Sequence, residues 1–294
     1  MDRKLTIILI VAGVLAGVTL IGLFLAFTFV GSDSSIGSVP SLGKGLGYVE
    51  VEGTIVDATE TVRQLKQLER NPLVKGILLR IDSPGGVVTP SHEIYSEIVR
   101  IRDEGTPIIV SMGTIAASGG YYIAAPANLI IANPQTLTGS IGVIMEFPVV
   151  KGTMEKLGLK VEVVKSAEHK DIGSPFRDMT GTDRALLQSV VTDAYEQFVE
   201  IVSTEREIPE DSVRALADGR VMTGRQALAY GLVDTLGTFE DAKRIAAAEC
   251  GLTGEPRLIK PSKRLNFWVR QLFEGTAEEL LGGLKFPRLR YICY

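Results

Sequence analysis

Ser111-Met112-Gly113-Thr114-Ile115-Ala116-Ala117-Ser118-Gly119-Gly120-Tyr121-Tyr122-Ile123-Ala124-Ala125 decides how the chain is read. Ahead of it, Thr106 to Val110 is a β-branched run led in by Pro107, which predicts a buried strand. After it the residues turn small and the pattern helical. A serine at such a junction sits near the first turn of a helix, where unpaired backbone N–H groups and the helix dipole favour developing negative charge. The small residues around it let a substrate backbone come close. Ser118 is therefore a candidate nucleophile, although serine is also a favoured helix cap and the stretch alone reads as well as an ordinary strand-helix turn.

A second glycine-rich loop makes the first more informative. Asp82-Ser83-Pro84-Gly85-Gly86 directly follows Gly76 to Asp82, a nearly continuous apolar run of the kind that forms a strand covered on both faces. The carboxyl end of such a strand is where parallel α/β sheets place ligands, and glycines there free backbone N–H groups for an oxyanion. Gly85 or Gly86 would share that task with Gly119. A serine hydroxyl also needs a base. His92 and His169 are open to that role, as are Lys151, Lys160, Lys165 and Lys170 if burial leaves one amine neutral, and spacing does not choose among them.

The surrounding pattern predicts strands at Tyr48 to Val56, Leu129 to Ala132 and Leu159 to Lys165. Helices are expected at Glu60 to Arg70 with Thr59 as cap, at Ser91 to Arg102, and at Thr182 to Arg206, whose Leu186, Leu187, Val190, Val191, Ala194, Tyr195, Phe198 and Val199 share one face. Asp218 to Gly237 reads as a short strand, a helix from Gly224 to Tyr230, and a turn at Gly231. Strand and helix in alternation mean βαβ crossovers and a largely parallel sheet.

Composition narrows the class. The 294 residues are 45% hydrophobic, and 31 basic against 35 acidic residues leave a net charge of −4, which offers nothing to nucleic acid. Cys250 and Cys293 form neither a metal pattern nor a disulfide framework. Leu5 to Val30 carries no charge, proline or amide side chain and would span roughly 39 Å as a helix at about 1.5 Å per residue. That is too long for a signal h-region. With Arg3 and Lys4 before it and no charge immediately after, it predicts a retained single-pass anchor, the N-terminus cytoplasmic and the rest extracytoplasmic. The expected division is an anchor over 1–31, a Gly/Ser-rich linker over 32–46, a catalytic domain over 47–251, and a tail over 252–294 whose aromatic face needs a partner.

In order, Asp82-Ser-Pro-Gly-Gly86, Ala116-Ala-Ser-Gly-Gly-Tyr-Tyr122, Asn133-Pro-x-Thr-x-Thr-Gly-Ser-Ile-Gly-Val143, His169-Lys-Asp-x-x-Ser-Pro-x-Arg177 and Gly219-Arg-x-x-Thr-Gly-Arg-x-Ala227 with Gly231-Leu-Val-Asp234 resemble the signal peptide peptidase A family, from Tyr48 to Gly251. These are membrane-tethered serine peptidases of the Clp-protease and crotonase superfamily. The resemblance implies an α/β fold, a Clp-like spiral of βαβ units behind one transmembrane helix, and a serine-lysine dyad. Ser118 takes the nucleophile's place, Lys170 the base's, and Ser140 that of the serine orienting the lysine, with Gly85 or Gly86 and Gly119 as the oxyanion hole. It also implies signal-peptide substrates, a homo-oligomeric ring at the cell membrane, no metal or nucleotide cofactor and no nucleic-acid partner. The alternatives are a related membrane protease cutting stomatin-like segments, a crotonase-like acyl-CoA enzyme, and an inactive scaffold. One further expectation is that the tail enters a neighbour's groove as a trial substrate.

Overall fold

The computed structural model describes residues 43–262 and 290–292. The expected anchor, most of the linker, the aromatic part of the tail and Cys293 lie outside them. Among the described residues no helix is long and apolar enough to cross a membrane.

The chain opens with β1 (Gly45–Glu52), α1 (Thr59–Glu69), β2 (Val74–Ser83), β3 (Gly85–Val87), α2 (Val88–Asp103), β4 (Ile108–Ala117), α3 (Gly119–Ala124), β5 (Leu129–Ala132) and β6 (Leu137–Gly139). It continues through α4 (Lys151–Lys156), α5 (Gly181–Glu205), α6 (Glu210–Leu216), β7 (Val221–Thr223), α7 (Gly224–Ala229), β8 (Thr235–Leu236), α8 (Phe239–Glu249), β9 (Leu258–Ile259) and β10 (Arg290–Ile292). Among the described residues, eight strands form one sheet in the order β7-β6-β4-β2-β1-β9, with β5 joined to β4 and β8 joined to β5. All its pairings are parallel except β6 with β7. The expectation of βαβ crossovers and a parallel sheet holds.

The reason lies in burial. Ile77, Leu78, Leu79 and Ile81 of β2 and Ile108, Ile109 and Val110 of β4 are all essentially inaccessible, because consecutive side chains point to opposite faces and both faces are covered. One cluster packs Leu65, Leu68, Ile94, Ile98, Phe198 and Val202 against one face, and Ala242 and Ala246 of α8 close the other.

Several boundaries differ from the sequence expectation. β1 begins at Gly45 rather than Tyr48, with Leu46 wholly buried, and the stretch beyond 251 contributes β9 to the sheet. Thr59 is the first residue of α1 and not its cap; its N–H is taken by the Asp57 carboxylate at 2.8 Å. Leu159 to Lys165 is not a strand: Leu159, Val161, Val163 and Val164 are exposed and pair with no sheet edge. The long helix starts one residue early, capped by Thr180 and Asp183, but Leu186 and Val190 are exposed and its packing is carried by Ala194, Phe198, Val199 and Val202.

β4 is the largest departure. It does not stop at Val110 but runs to Ala117, and on the way it changes neighbours: Ile109, Val110 and Ser111 pair with β5, whereas Ile115, Ala116 and Ala117 pair with β6. The change occurs at a bulge, since the β2 ladder passes from Ile81 opposite Met112 directly to Ser83 opposite Ala116. Bulges bend and twist a strand. This one aims the end of β4 at the end of β6.

Candidate active site

Ser118 stands where β4 ends and α3 begins, with φ 53° and ψ −117°, a backbone state that costs a side-chain-bearing residue on the order of 1–3 kcal/mol. Its surroundings hold it there. Its N–H donates to the Gly139 carbonyl at 2.8 Å, and its carbonyl accepts from Tyr122 N–H at 2.8 Å. All six residues of α3 are buried, and the Tyr121 hydroxyl ties the helix to the Leu232 carbonyl at 2.9 Å. Ser118 is 1% exposed and its Oγ has no hydrogen-bond partner among the described residues. An unsatisfied buried hydroxyl costs about 1–3 kcal/mol, so strain and an unmet polar atom coincide at one residue. Because α3 is so short, its macrodipole contributes little. What it offers is the Gly119 amide, in a first turn that lacks intrahelical acceptors.

The two glycines of the other loop face different ways. Gly85 N–H is engaged by Ser83 Oγ at 3.1 Å, its carbonyl accepts from Ile55 N–H at 2.9 Å, and Val87 N–H donates to the Ile55 carbonyl at 2.7 Å. Alternation along the strand turns Gly86 to the opposite edge. There β10 lies antiparallel, with Tyr291 opposite Gly86 and Ile292 opposite Gly85. A Cβ on Gly86 would run into the Ile55 carbonyl, so the close approach of these backbones requires glycine. The edge beside Gly86 thus accepts an extended peptide, and in this chain it holds the chain's own carboxy-terminal strand.

Ser140 lies at the equivalent end of β6, one residue past Gly139, which pairs with Ala117; its own φ is 51°. Ser118 and Ser140 therefore leave neighbouring strand ends. A cavity of about 500 Å³ opens beside Ser140 between α5 and the loop before β7, lined by Val143, Gln188, Thr192, Tyr195 and Gly219 among others. Ser118 does not line it.

Lys170 is not brought to Ser118. It is exposed, on a turn between His169 and Asp171, whereas Ser118 is buried without a partner. Its neighbours are tied into an ionic knot. The Arg177 guanidinium grips Asp171 at 2.9 and 3.0 Å and Asp183 at 2.6 Å, Lys165 adds a bond to Asp171 at 2.7 Å, and His169 Nδ1 lies 3.4 Å from Asp183. Arg177 above all holds both carboxyls well below the usual carboxylate range, helped at Asp171 by Lys165 and at Asp183 by the Thr180 cap. Of the other basic candidates, Lys151 is bonded to Asp178 at 2.6 Å and His92 Nδ1 to the Tyr122 hydroxyl at 2.9 Å, while Lys160 is exposed and, like Lys170, is not brought to Ser118.

Sequence reasoning missed two features at this site: the bulge that aims β4, and the pairing of β10 with β3. Gly113, inside an otherwise strand-like run, is the signal that would have marked the bulge.

Comparison with known proteins yields consistent matches. Residues 100–253 match the model of peptidase family S49 and residues 49–136 that of Clp protease. A putative protease of Synechocystis sp. is 42% identical over 240 residues, covering 81% of this chain and 86% of that protein. A putative signal peptide peptidase SppA of Enterococcus faecium is 38% identical across 68% of this chain and 62% of its own length. Protease 4 of Salmonella typhi is 35% identical across 73% of this chain, which spans only 36% of that protein.

Proposed function

The chain belongs to peptidase family S49, and for a serine peptidase built this way we propose that Ser118 is the nucleophile and that the substrates are extended apolar peptides, signal peptides left in the membrane in the first place. The observation that carries this reading is Ser118 itself, whose buried, partnerless Oγ sits on a strained turn between a Gly-Gly strand edge and the Gly119 amide. An extended peptide added along β3 would present its backbone to that edge, and recognition by main-chain pairing suits substrates that share shape rather than sequence.

In the proposed mechanism Ser118 Oγ attacks the scissile carbonyl carbon as its proton passes to the neutral Lys170 Nζ. The oxyanion accepts hydrogen bonds from Gly86 N–H and Gly119 N–H. Lys170 then gives the proton to the leaving amine, and a water that loses its proton to the same lysine hydrolyses the ester. Of the two loop glycines Gly86 fits better, because Gly85 N–H is bound to Ser83 within its own loop, whereas Gly86 N–H faces the edge that a substrate would take from β10. Ser140, at the adjoining strand end, would accept from and orient the lysine.

Lys170 reaches the serine in an assembly. Val149, Leu157, Leu159, Val161, Val163 and Val164 are exposed on the arm that carries Lys170, the segment 149–180 ahead of α5, and a homo-oligomeric ring would cover them while delivering one copy's lysine to another's serine. The apolar run from Leu5 to Val30 would anchor that ring to the cell membrane in a single pass, N-terminus inside and the catalytic domain outside.

Hydrolysis of a synthetic signal peptide by the full chain in detergent, without ATP or metal, tests this. Ser118→Ala and Lys170→Ala should each be inert and His169→Ala active. Mixing and reassembling the two inert variants should restore turnover, because some sites then receive an intact serine from one copy and an intact lysine from another. No restoration would return the lysine to the serine's own chain; a dead His169→Ala with an active Lys170→Ala would replace the base.

A further inference from the structure

The bulge in β4 leaves an accounting problem that four side chains solve. Met112, Gly113 and Thr114 lie between the β5 pairing, which ends at Ser111, and the β6 pairing, which starts at Ile115. On the β2 side the ladder skips from Met112 to Ala116. Backbone groups without ladder partners in a buried strand must find others. Arg80 Nη1 donates to the Met112 carbonyl at 2.9 Å, Thr136 Oγ1 to the Gly113 carbonyl at 2.6 Å, and Thr138 Oγ1 to the Ala116 carbonyl at 2.7 Å. Asp82 does the converse: its Oδ1 accepts from Ile115 N–H at 3.0 Å.

Asp82 differs from the other three. They donate to carbonyls, which tolerate being under-satisfied better than an N–H does. Its carboxylate also lies directly over residue 113, where a Cβ would come 2.6 Å from Asp82 Cγ. Two positions far apart in the sequence are thus fitted to one contact, an acceptor at 82 and no side chain at 113. Ile115 is the first residue of the segment that runs with β6 to Ser118.

We infer that Asp82 is a positioning residue for the peptidase reaction: by holding Ile115 N–H it fixes the bulge that aims β4, and through it the Oγ of Ser118. It acts at the backbone, touching neither the substrate nor Ser118. The inference rests on Ser118 being the nucleophile. A neutral amide at position 82 still presents an oxygen to Ile115 N–H, so shape rather than charge is what the site needs.

The test compares Asp82→Ala, Asp82→Asn and Gly113→Ala in the full chain, measuring kcat and KM on a peptide, the rate of serine labelling by a fluorophosphonate, and thermal unfolding. Displacing a reacting group by an ångström costs up to about 100-fold. Asp82→Ala should lower kcat and the labelling rate about 10- to 100-fold, with KM within about two-fold. Asp82→Asn should keep most of both. Gly113→Ala, whose methyl displaces the carboxylate, should resemble Asp82→Ala, and it carries the test with Asp82→Asn if Asp82→Ala does not fold. Equal losses in the Ala and Asn variants, or a loss confined to KM with labelling unchanged, would overturn the inference. Ser118→Ala run alongside separates the two claims: labelling that survives it removes the nucleophile assignment, whatever Asp82 does.

Discussion

The strand ends that carry Ser118 and Ser140 and the arm that carries Lys170 are built on opposite principles. Ser118 is 1% exposed, tied to Gly139 by its backbone, and backed by the sheet and by Tyr121, Tyr122 and Phe198. The arm shows little burial: Leu157 is 67% exposed and Val164 fully so, and its order comes from Arg177, Asp171, Asp183, Lys165 and a few turns. Nonpolar packing is not screened by salt and carries no titrating group. Ion pairs at a surface are screened by salt and lost when acid protonates their carboxylates. The two halves of the proposed dyad should therefore fail under different conditions.

The largest effect expected is at the rigid half. Ser118→Ala should lower kcat by about 1,000-fold or more while raising thermal unfolding by a few degrees, because the backbone hydrogen bonds of residue 118 survive the change and the unsatisfied buried hydroxyl is removed. A variant that unfolds early would mean the hydroxyl supports the turn, and the contrast with the arm would blur.

The softer half should answer to pH and salt. Arg177→Ala removes the partner of both Asp171 and Asp183, and should lower activity about tenfold at low salt, with the gap from the parent narrowing as salt rises because only the parent still has these pairs to be screened. The sign in pH follows from the depressed carboxyls. Their unfolded pKa is about 3.9, so the stability they contribute is fully present above that value and is lost as pH falls below it toward their lower folded values. Proteolysis of the arm in the parent should thus accelerate below about pH 4, while near-ultraviolet signals from the buried tyrosines persist. Simultaneous loss of both would show one cooperative unit and remove the distinction.

The same contrast explains what was legible in the sequence. Gly76 to Asp82 reads as a buried strand because every apolar residue of it is covered, and a nearly continuous apolar run has few other uses. Leu159 to Lys165 carries a strand-like alternation and forms no strand, since its valines find no sheet edge among the described residues. Pattern records that residues will be covered, not by what. The exposed first half of α5 shows the same failure, with Leu186 and Val190 in register but unpartnered by the core. The strand-helix junction at Ser118 was legible through its neighbours Gly119 and Gly120. The bulge was not, because its partners Asp82 and Thr136 lie 33 and 23 residues from the groups they bind. As for β10, no motif marks it; its pairing depends on backbone complementarity to an edge that Gly85 and Gly86 leave open.

That edge supplies the smallest effect and the finest discrimination. Tyr291 lies opposite Gly86 in an antiparallel ladder, on the side to which Gly86 turns its N–H and carbonyl. Proline at 291 has no N–H to give to Gly86 and also restricts the strand, with one lost hydrogen bond worth about 1 kcal/mol net. If β10 and an extended substrate compete for the same edge, Tyr291→Pro should lower KM about fivefold and leave kcat unchanged, since 1.4 kcal/mol is tenfold in an equilibrium. The buried serine is untouched, and so is the arm. A raised KM would mean instead that β10 orders the edge for the substrate, making the carboxy-terminal strand part of the rigid half. An unchanged KM would place the substrate away from β3 altogether, and the main-chain recognition proposed for Gly86 would fall with it.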